Sequence, residues 1–312
     1  MSNIENNKAD SIFANEYDPG GFLKIILKNF RFVLIFTIIS ILVGITTSFI
    51  LPTKYASYSL LEVIEYEEEG GASSLFGSAS SLLTNITGIN VASEGDKGLY
   101  VVELIRSKNF FDKLIKDNDF KQRLYAVNGY NFQTNTDEYN LSLYNPENGV
   151  WNKNPKSIGP TNFDIYEASY IRNLTVSKDI ESGFIRLRFK HASPKLALEM
   201  TSSIVEKANE FKRLKDEAEA LKAINFLQEE LLDINRINIK LEISSIISGY
   251  LKKLTLSKSK DFYLVEPIEP AFFPERRFEP RRSLVVVIFA FLGAIISVFI
   301  TLLRAPLRSI KN

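Results

Sequence analysis

Two stretches constrain this chain before any other feature. FVLIFTIISILVGITTSFIL (Phe32–Leu51) and SLVVVIFAFLGAIISVFITLL (Ser283–Leu303) each run without one charged residue. As helices rising ~1.5 Å per residue, each reaches about 30 Å, the thickness of a bilayer's hydrocarbon core. Core helices of a water-soluble domain are the alternative, but such helices usually carry polar residues along one side. The first run lies behind 31 mostly polar residues and leads into LPTKYAS, which offers no small-x-small cleavage site. It therefore reads as an uncleaved anchor rather than a signal peptide.

Two spans place both termini on one side of a membrane and residues 52–282 on the other. Lys24, Lys28, Arg31, Arg304, Arg308 and Lys311 flank the terminal sides; Lys54, Arg276, Arg277, Arg281 and Arg282 flank the loop sides. These nearly balance. The first helix usually dominates orientation and long loops translocate largely regardless of charge, so an inside N-terminus and an outside middle domain are expected.

The chemistry available to that domain is narrow. With 38 basic and 37 acidic side chains, the chain has no net basic surplus for nucleic acid. It has no cysteine and one histidine, His191, leaving almost no material for zinc sites or for Cys–His and Ser–His mechanisms. At the end of a strand, His191 is expected to be solvated or hydrogen-bonded rather than catalytic. EYEEEGG (Glu65–Gly71) reads as a solvated acidic turn, and GGASSLFGSASSLLTNITGIN (Gly70–Asn90) as a loop or short helix lacking the Gly-Lys-Ser/Thr of a phosphate loop. No cofactor, metal site or catalytic residue is predicted.

Along the domain, Tyr55–Tyr66 and Asp261–Pro267 read as strands, antiparallel if they pair, since one leaves the membrane and the other returns. Leu99–Asp117 has helical spacing. The Asn-rich segment 128–162 reads as a surface excursion whose aromatic and basic residues could alternatively touch sugar. Thr161–Leu174 reads as a helix capped by Thr161 or Asn162. Phe184–His191 alternates Ile185, Leu187, Phe189 with Arg186, Arg188, Lys190, the pattern of a half-buried strand. From Ser193 as cap and Pro194 as first helical residue, a helical region runs over about 193–257. Ile224, Leu227, Leu231, Ile234 and Leu241 form a narrow apolar stripe along it. Asp233, Asn235 and Asn238 leave open whether it is one rod or a bent pair.

Ahead of the second run, four prolines and four arginines crowd into residues 266–282. Pro267, Pro270, Pro274 and Pro280 predict a stiff connector over 267–282 that spaces the folded part from the membrane. Arg281 and Arg282 are placed to anchor the span at the lipid phosphates. Ser40, Gly44 and Ser48 recur every four residues, as do Gly293, Ser297 and Thr301, giving faces that permit close helix contact with each other, between subunits or with a partner.

In this order, FLKIILKNFRFVLIF, SFILPTKYASYSLL, LYNPENGVWNK, LTVSKDIESGFIRLRFKHASPKLALEM, KAINFLQEEL and DFYLVEPIEPAFFPERRFEPRRSL resemble the Wzz-type chain-length determinant family, the polysaccharide co-polymerases of bacterial inner membranes. The resemblance spans nearly the whole chain. It implies an α+β fold: a cytoplasmic segment 1–31, a span 32–51, a periplasmic domain 52–282, a span 283–303 and a cytoplasmic tail 304–312. The periplasmic part would combine a membrane-proximal mixed base with a long helical projection in a ring-like homo-oligomer. It also implies regulation of O-antigen or related polysaccharide length, without catalysis, beside an inner-membrane polymerase, with the growing polysaccharide as a further candidate partner. Some relatives carry a tyrosine-kinase domain after the second span. Only nine residues follow Leu303, so none is expected here, and an adaptor for a separate kinase is the second reading.

Overall fold

The computed structural model describes residues 27–64, 96–116, 120–152, 159–233 and 237–309. The expected acidic turn and Gly/Ser-rich loop, and Ile234 and Asn235, lie outside them. The chain forms two compact units. One comprises Met1–Pro52 with Glu279–Asn312, the other Thr53–Phe278. The first contains helices α1 (Phe30–Ile50) and α9 (Arg282–Ser309); Phe30–Ile50 and Arg282–Leu303 are long and apolar enough to cross a membrane. The second helix runs past the predicted boundary at Leu303 to Ser309.

The second unit is built on one antiparallel sheet in the order β6–β7–β1–β8, where β1 is Tyr55–Val63, β6 Leu174–Lys178, β7 Ile185–His191 and β8 Val265–Glu269. The alternation read from Phe184–His191 is real: Ile185, Leu187 and Phe189 are buried. Strands β1 and β8 pair antiparallel, with Leu61 opposite Pro267 and Val63 opposite Val265. The returning strand starts later than the sequence suggests. Instead of joining the ladder, the N–H groups of Tyr263, Leu264 and Val265 all donate to Asn209 Oδ1, at 2.8, 2.6 and 3.1 Å.

Other elements refine the expectations. The predicted helix 99–117 is two, α2 (Lys97–Arg106) and α3 (Lys108–Leu114), because Ser107 is extended (φ −69°, ψ 144°) and caps α3 by accepting from Phe110 N–H. Helix α4 (Phe120–Ala126) follows. The Asn-rich excursion contains two small hairpins, β2–β3 (Val127–Asn131, Thr136–Tyr139) and β4–β5 (Tyr144–Asn145, Val150–Trp151). Its asparagines supply the turns: the side-chain oxygens of Asn131, Asn140, Asn145 and Asn148 each accept a backbone N–H two residues on. Thr161 caps α5 (Asn162–Ile165) in a capping box with Asp164. A π-helical turn (Tyr166–Tyr170) and α6 (Ile171–Asn173) then lead into β6, a strand to which sequence reading assigned no element beyond Leu174, the last residue of the expected helix.

Ser193 accepts from Leu196 N–H and caps α7 (Pro194–Asp233), which is followed by α8 (Ile237–Ser259). The helical region is therefore a pair rather than one rod. Arg213 bonds to the Lys260 carbonyl just past the end of α8 and Glu217, four residues on, to Ser257, so the two helices run antiparallel.

The core lies between the sheet and α2, α3 and α7. Phe110, Phe111, Leu114, Ile105, Leu196, Met200 and Tyr170 are completely buried against Leu61, Ile185 and Phe189. Phe111 lies 4.8 Å from the Tyr170 ring and 5.6 Å from that of Tyr166. Tyr170 donates its hydroxyl to the Ile105 carbonyl at 2.7 Å, and burial raises its pKa well above the ordinary phenol value. Deleting a buried aromatic removes its transfer energy and leaves a cavity. Phe111→Ala should therefore cost about 3–5 kcal/mol in denaturant unfolding, whereas Ile180→Ala, at a 96% exposed position, should change it by under about 0.5 kcal/mol.

Candidate functional site

The structure gathers the six small residues predicted on the spans. In the first unit, Ser40 donates to the Phe289 carbonyl at 2.7 Å. A Cβ on Gly44 would stand 2.6 Å from Phe289 Cβ, and one on Gly293 would stand 2.4 Å from Ser40 Cβ. Gly44, Ser48, Gly293, Ser297 and Thr301 are all buried. Ser40, Gly44 and Gly293 thus lie against the other apolar helix of the same chain. The hydroxyls of Thr37, Thr46, Thr47, Ser297 and Thr301 donate to carbonyls of their own helices, as a medium without water demands. Arg282 lies over the Phe49 ring at 4.2 Å, and Arg281 is exposed.

The connector differs from the expected free strut. Pro267 lies within β8, at the edge of the sheet, where a residue without an N–H is tolerated. Pro267, expected both to end the returning strand and to open the connector over 267–282, belongs to the strand, and the irregular part begins at Pro270. Pro270 is exposed, Pro274 is buried, and Glu279–Pro280 is a cis peptide. Residues 269–278 lie back along β1. Ser59 donates to the Glu269 carbonyl at 2.7 Å, Ser57 to that of Phe272 at 2.8 Å, and Phe278 N–H to that of Lys54 at 2.7 Å. Prolines break the ladder, and serine hydroxyls replace it. Tyr58 stacks on Phe272 (6.0 Å, 18°) and meets Phe278 edge-on, while Arg188 covers Phe278 at 5.0 Å. This cation–aromatic patch uses the polar side of the β7 alternation.

At the other end of β8, polar groups join the helical pair to the sheet. Besides accepting three N–H groups, Asn209 donates to the Val205 and Val265 carbonyls. Arg213 donates to the carbonyls of Lys260 and Asp261, and Tyr263 to Asp216, which also meets Lys212. Sequence reading passed over these residues. The only local signal was a polar Asn209 beside Ala208 and Val205 on an otherwise apolar helix face.

His191 is buried, so of its two expected states it takes the hydrogen-bonded one. Its Nδ1 accepts from Ser193 N–H at 3.1 Å and the ring bonds to the Leu124 backbone. Burial, against the weaker pull of Asp137, lowers its pKa to about 4. Nearby, Arg123 bridges Asp137 and Glu199. Among the described residues, no group of three or more His, Asp or Glu is arranged to hold a metal ion. These bonds brace the place where α4, β3, β7 and α7 meet.

No family model matches the chain, and no curated protein matches it in sequence. Among solved structures it is similar to one described as a full-length bacterial polysaccharide co-polymerase, at 12% identity and a TM-score of 0.37, covering 92% of this chain and 97% of that one. It is also similar to a fragment of WzzB, a polysaccharide co-polymerase from Salmonella Typhimurium, at 10% identity and a TM-score of 0.26, covering 73% of this chain and 100% of that one.

Two tests follow from this geometry. Removing both serine donors with Ser57→Ala and Ser59→Ala deletes two bonds worth ~1 kcal/mol each, so trypsin should cut at Arg276 and Arg277 roughly tenfold faster while the sheet stays folded. For His191, the folded pKa lies below the unfolded value of about 6.5, so the unfolded chain binds the extra proton. Stability is then full above about pH 6.5 and falls by about 3 kcal/mol as the pH drops toward 4. Comparing denaturant unfolding of the wild type and His191→Gln across that window should show the slope flattened in the variant.

Proposed function

We propose that this protein is a non-enzymatic regulator of the preferred chain length of O-antigen or a related surface polysaccharide. It acts as a homo-oligomeric scaffold beside an inner-membrane polymerase, with both termini cytoplasmic and residues 52–282 periplasmic. The observation that carries the reading is the layout. An α+β unit begins on β1, four residues past one apolar helix, and β8, paired with β1, leads through a proline-rich strap of twelve residues to the other. The ordered resemblance of six segments to chain-length determinants supports it. The helical pair supports the oligomeric part, because Phe226, Leu232, Ile237 and Leu241 are 58, 83, 75 and 66% exposed, more apolar surface than a lone chain usually leaves in water.

A regulator and an enzyme fail differently. Deleting the gene should leave polymer synthesis running while the length distribution loses its preferred mode; loss of all polymer would point to an enzyme, and loss of only high-molecular-weight product to a kinase adaptor. Phe226→Glu with Leu241→Glu should reduce the detergent-extracted protein from a discrete multi-subunit species to smaller ones by native mass measurement. The same variant should broaden the length distribution at near-normal protein level. A clean monomer from the unmodified chain in several mild detergents would overturn the scaffold.

A further inference from the structure

The end of the second unit where the chain comes in and goes out carries an aromatic and cationic cluster that the reading above does not use. Phe278 N–H bonds to the Lys54 carbonyl, so Thr53 and Phe278, the two ends of this unit, lie together. Beside them is a cleft of about 680 Å³ lined by Thr53, Tyr55, Phe132, Glu275, Arg276 and Arg277. Phe132 comes from the tip of the β2–β3 hairpin. It meets Tyr55 edge-on at 5.6 Å and Tyr130 at 5.0 Å, yet remains 54% exposed. Arg276 and Arg277 are exposed too.

Covalent reach limits where this cluster can be. Tyr55 is five residues past Ile50 and Arg277 five before Arg282, so each lies within ~18 Å of the end of an apolar helix. The headgroup layer begins at that helix end, and it is where amphipathic aromatics and arginines are favoured, the rings at the ester level and the guanidiniums on phosphate. Two arginines against one Glu275 leave the cleft net positive, which complements a phosphodiester.

We propose that the β2–β3 hairpin tip, with Arg276 and Arg277, is a headgroup-binding wedge that seats this end of the unit on anionic bilayer lipid. It is a third membrane contact besides the two helices. The inference requires only that those helices cross a bilayer and is independent of what the domain regulates. It fails or stands without reference to polymer length.

Because the chain has no cysteine, full-length protein carrying Phe132→Cys, Gln133→Cys or Ser182→Cys can be labelled singly with an environment-sensitive fluorophore. Ser182 lies in the turn before β7, at the far end of the sheet, where Ile185 pairs with Leu61 rather than with Tyr55. The labelled chains are placed in nanodiscs of phosphatidylethanolamine and phosphatidylglycerol containing headgroup-nitroxide lipid. Labels at 132 and 133 should be quenched roughly threefold more than at 182, and Arg276→Gln with Arg277→Gln should remove about half of that excess. Position 133 is exposed at the hairpin tip, so it keeps the test valid if the substitution at 132 disturbs packing. Equal quenching at all three positions would overturn the wedge. So would a blue-shifted but unquenched label at 132, which would mean that protein covers the hairpin. Loss of the excess on adding soluble glycerol phosphate would also overturn it, identifying a site for free anions instead.

Discussion

The pairing of β1 with β8 is the constraint on which the rest of the second unit depends. A chain that goes out from one apolar helix and comes back to another must bring its ends together, and antiparallel strands do this with no extra connection. Once Leu61 is opposite Pro267 and Phe278 is bonded to Lys54, the return path has to follow β1. The prolines remove the ladder donors along it. Ser57 and Ser59 supply donors from the other side, so the carbonyls of Glu269 and Phe272 stay satisfied. The result is a strap tied to the sheet, and strain on it would be felt directly by β1.

Buried polar groups hold the remaining joints. Asn209 gathers three backbone N–H groups and two carbonyls where α8 gives way to β8. Leaving those groups unpaired would cost several times the net value of one bond. Arg123, Asp137, Glu199 and the neutral His191 play the same part where α4, β3, β7 and α7 converge. Polar residues like these specify one arrangement, because each has a fixed number of donors and acceptors and few alternative partners.

The spans follow different physics. With lipid outside, no hydrophobic gain draws the two helices together, so close approach and hydrogen bonding must do so. Gly44 and Gly293 allow the approach, and Ser40 makes the bond to Phe289. Large apolar side chains such as Leu42, Phe291 and Phe299 remain exposed on the outer faces, the reverse of a water-soluble core.

What the sequence alone determined were the features set by local periodicity and composition. Two uncharged runs of bilayer length, the period-two strand at Phe184–His191, the Ser193–Pro194 helix start and a cap at Thr161 or Asn162 were legible because each depends on residues a few positions apart. Only the tertiary structure decided the features that depend on distant partners. The start of β8 moved because Asn209, 56 residues before Val265, takes its donors. The connector became a strap because serines about 210 residues away in sequence donate to its carbonyls. The break at Ser107 had a local cap behind it, but the apolar spacing on both sides concealed it. His191, an ordinary strand-end residue by sequence, is a buried brace because α4 and α7 close over it, and no local pattern encodes a neighbour that folding brings from elsewhere.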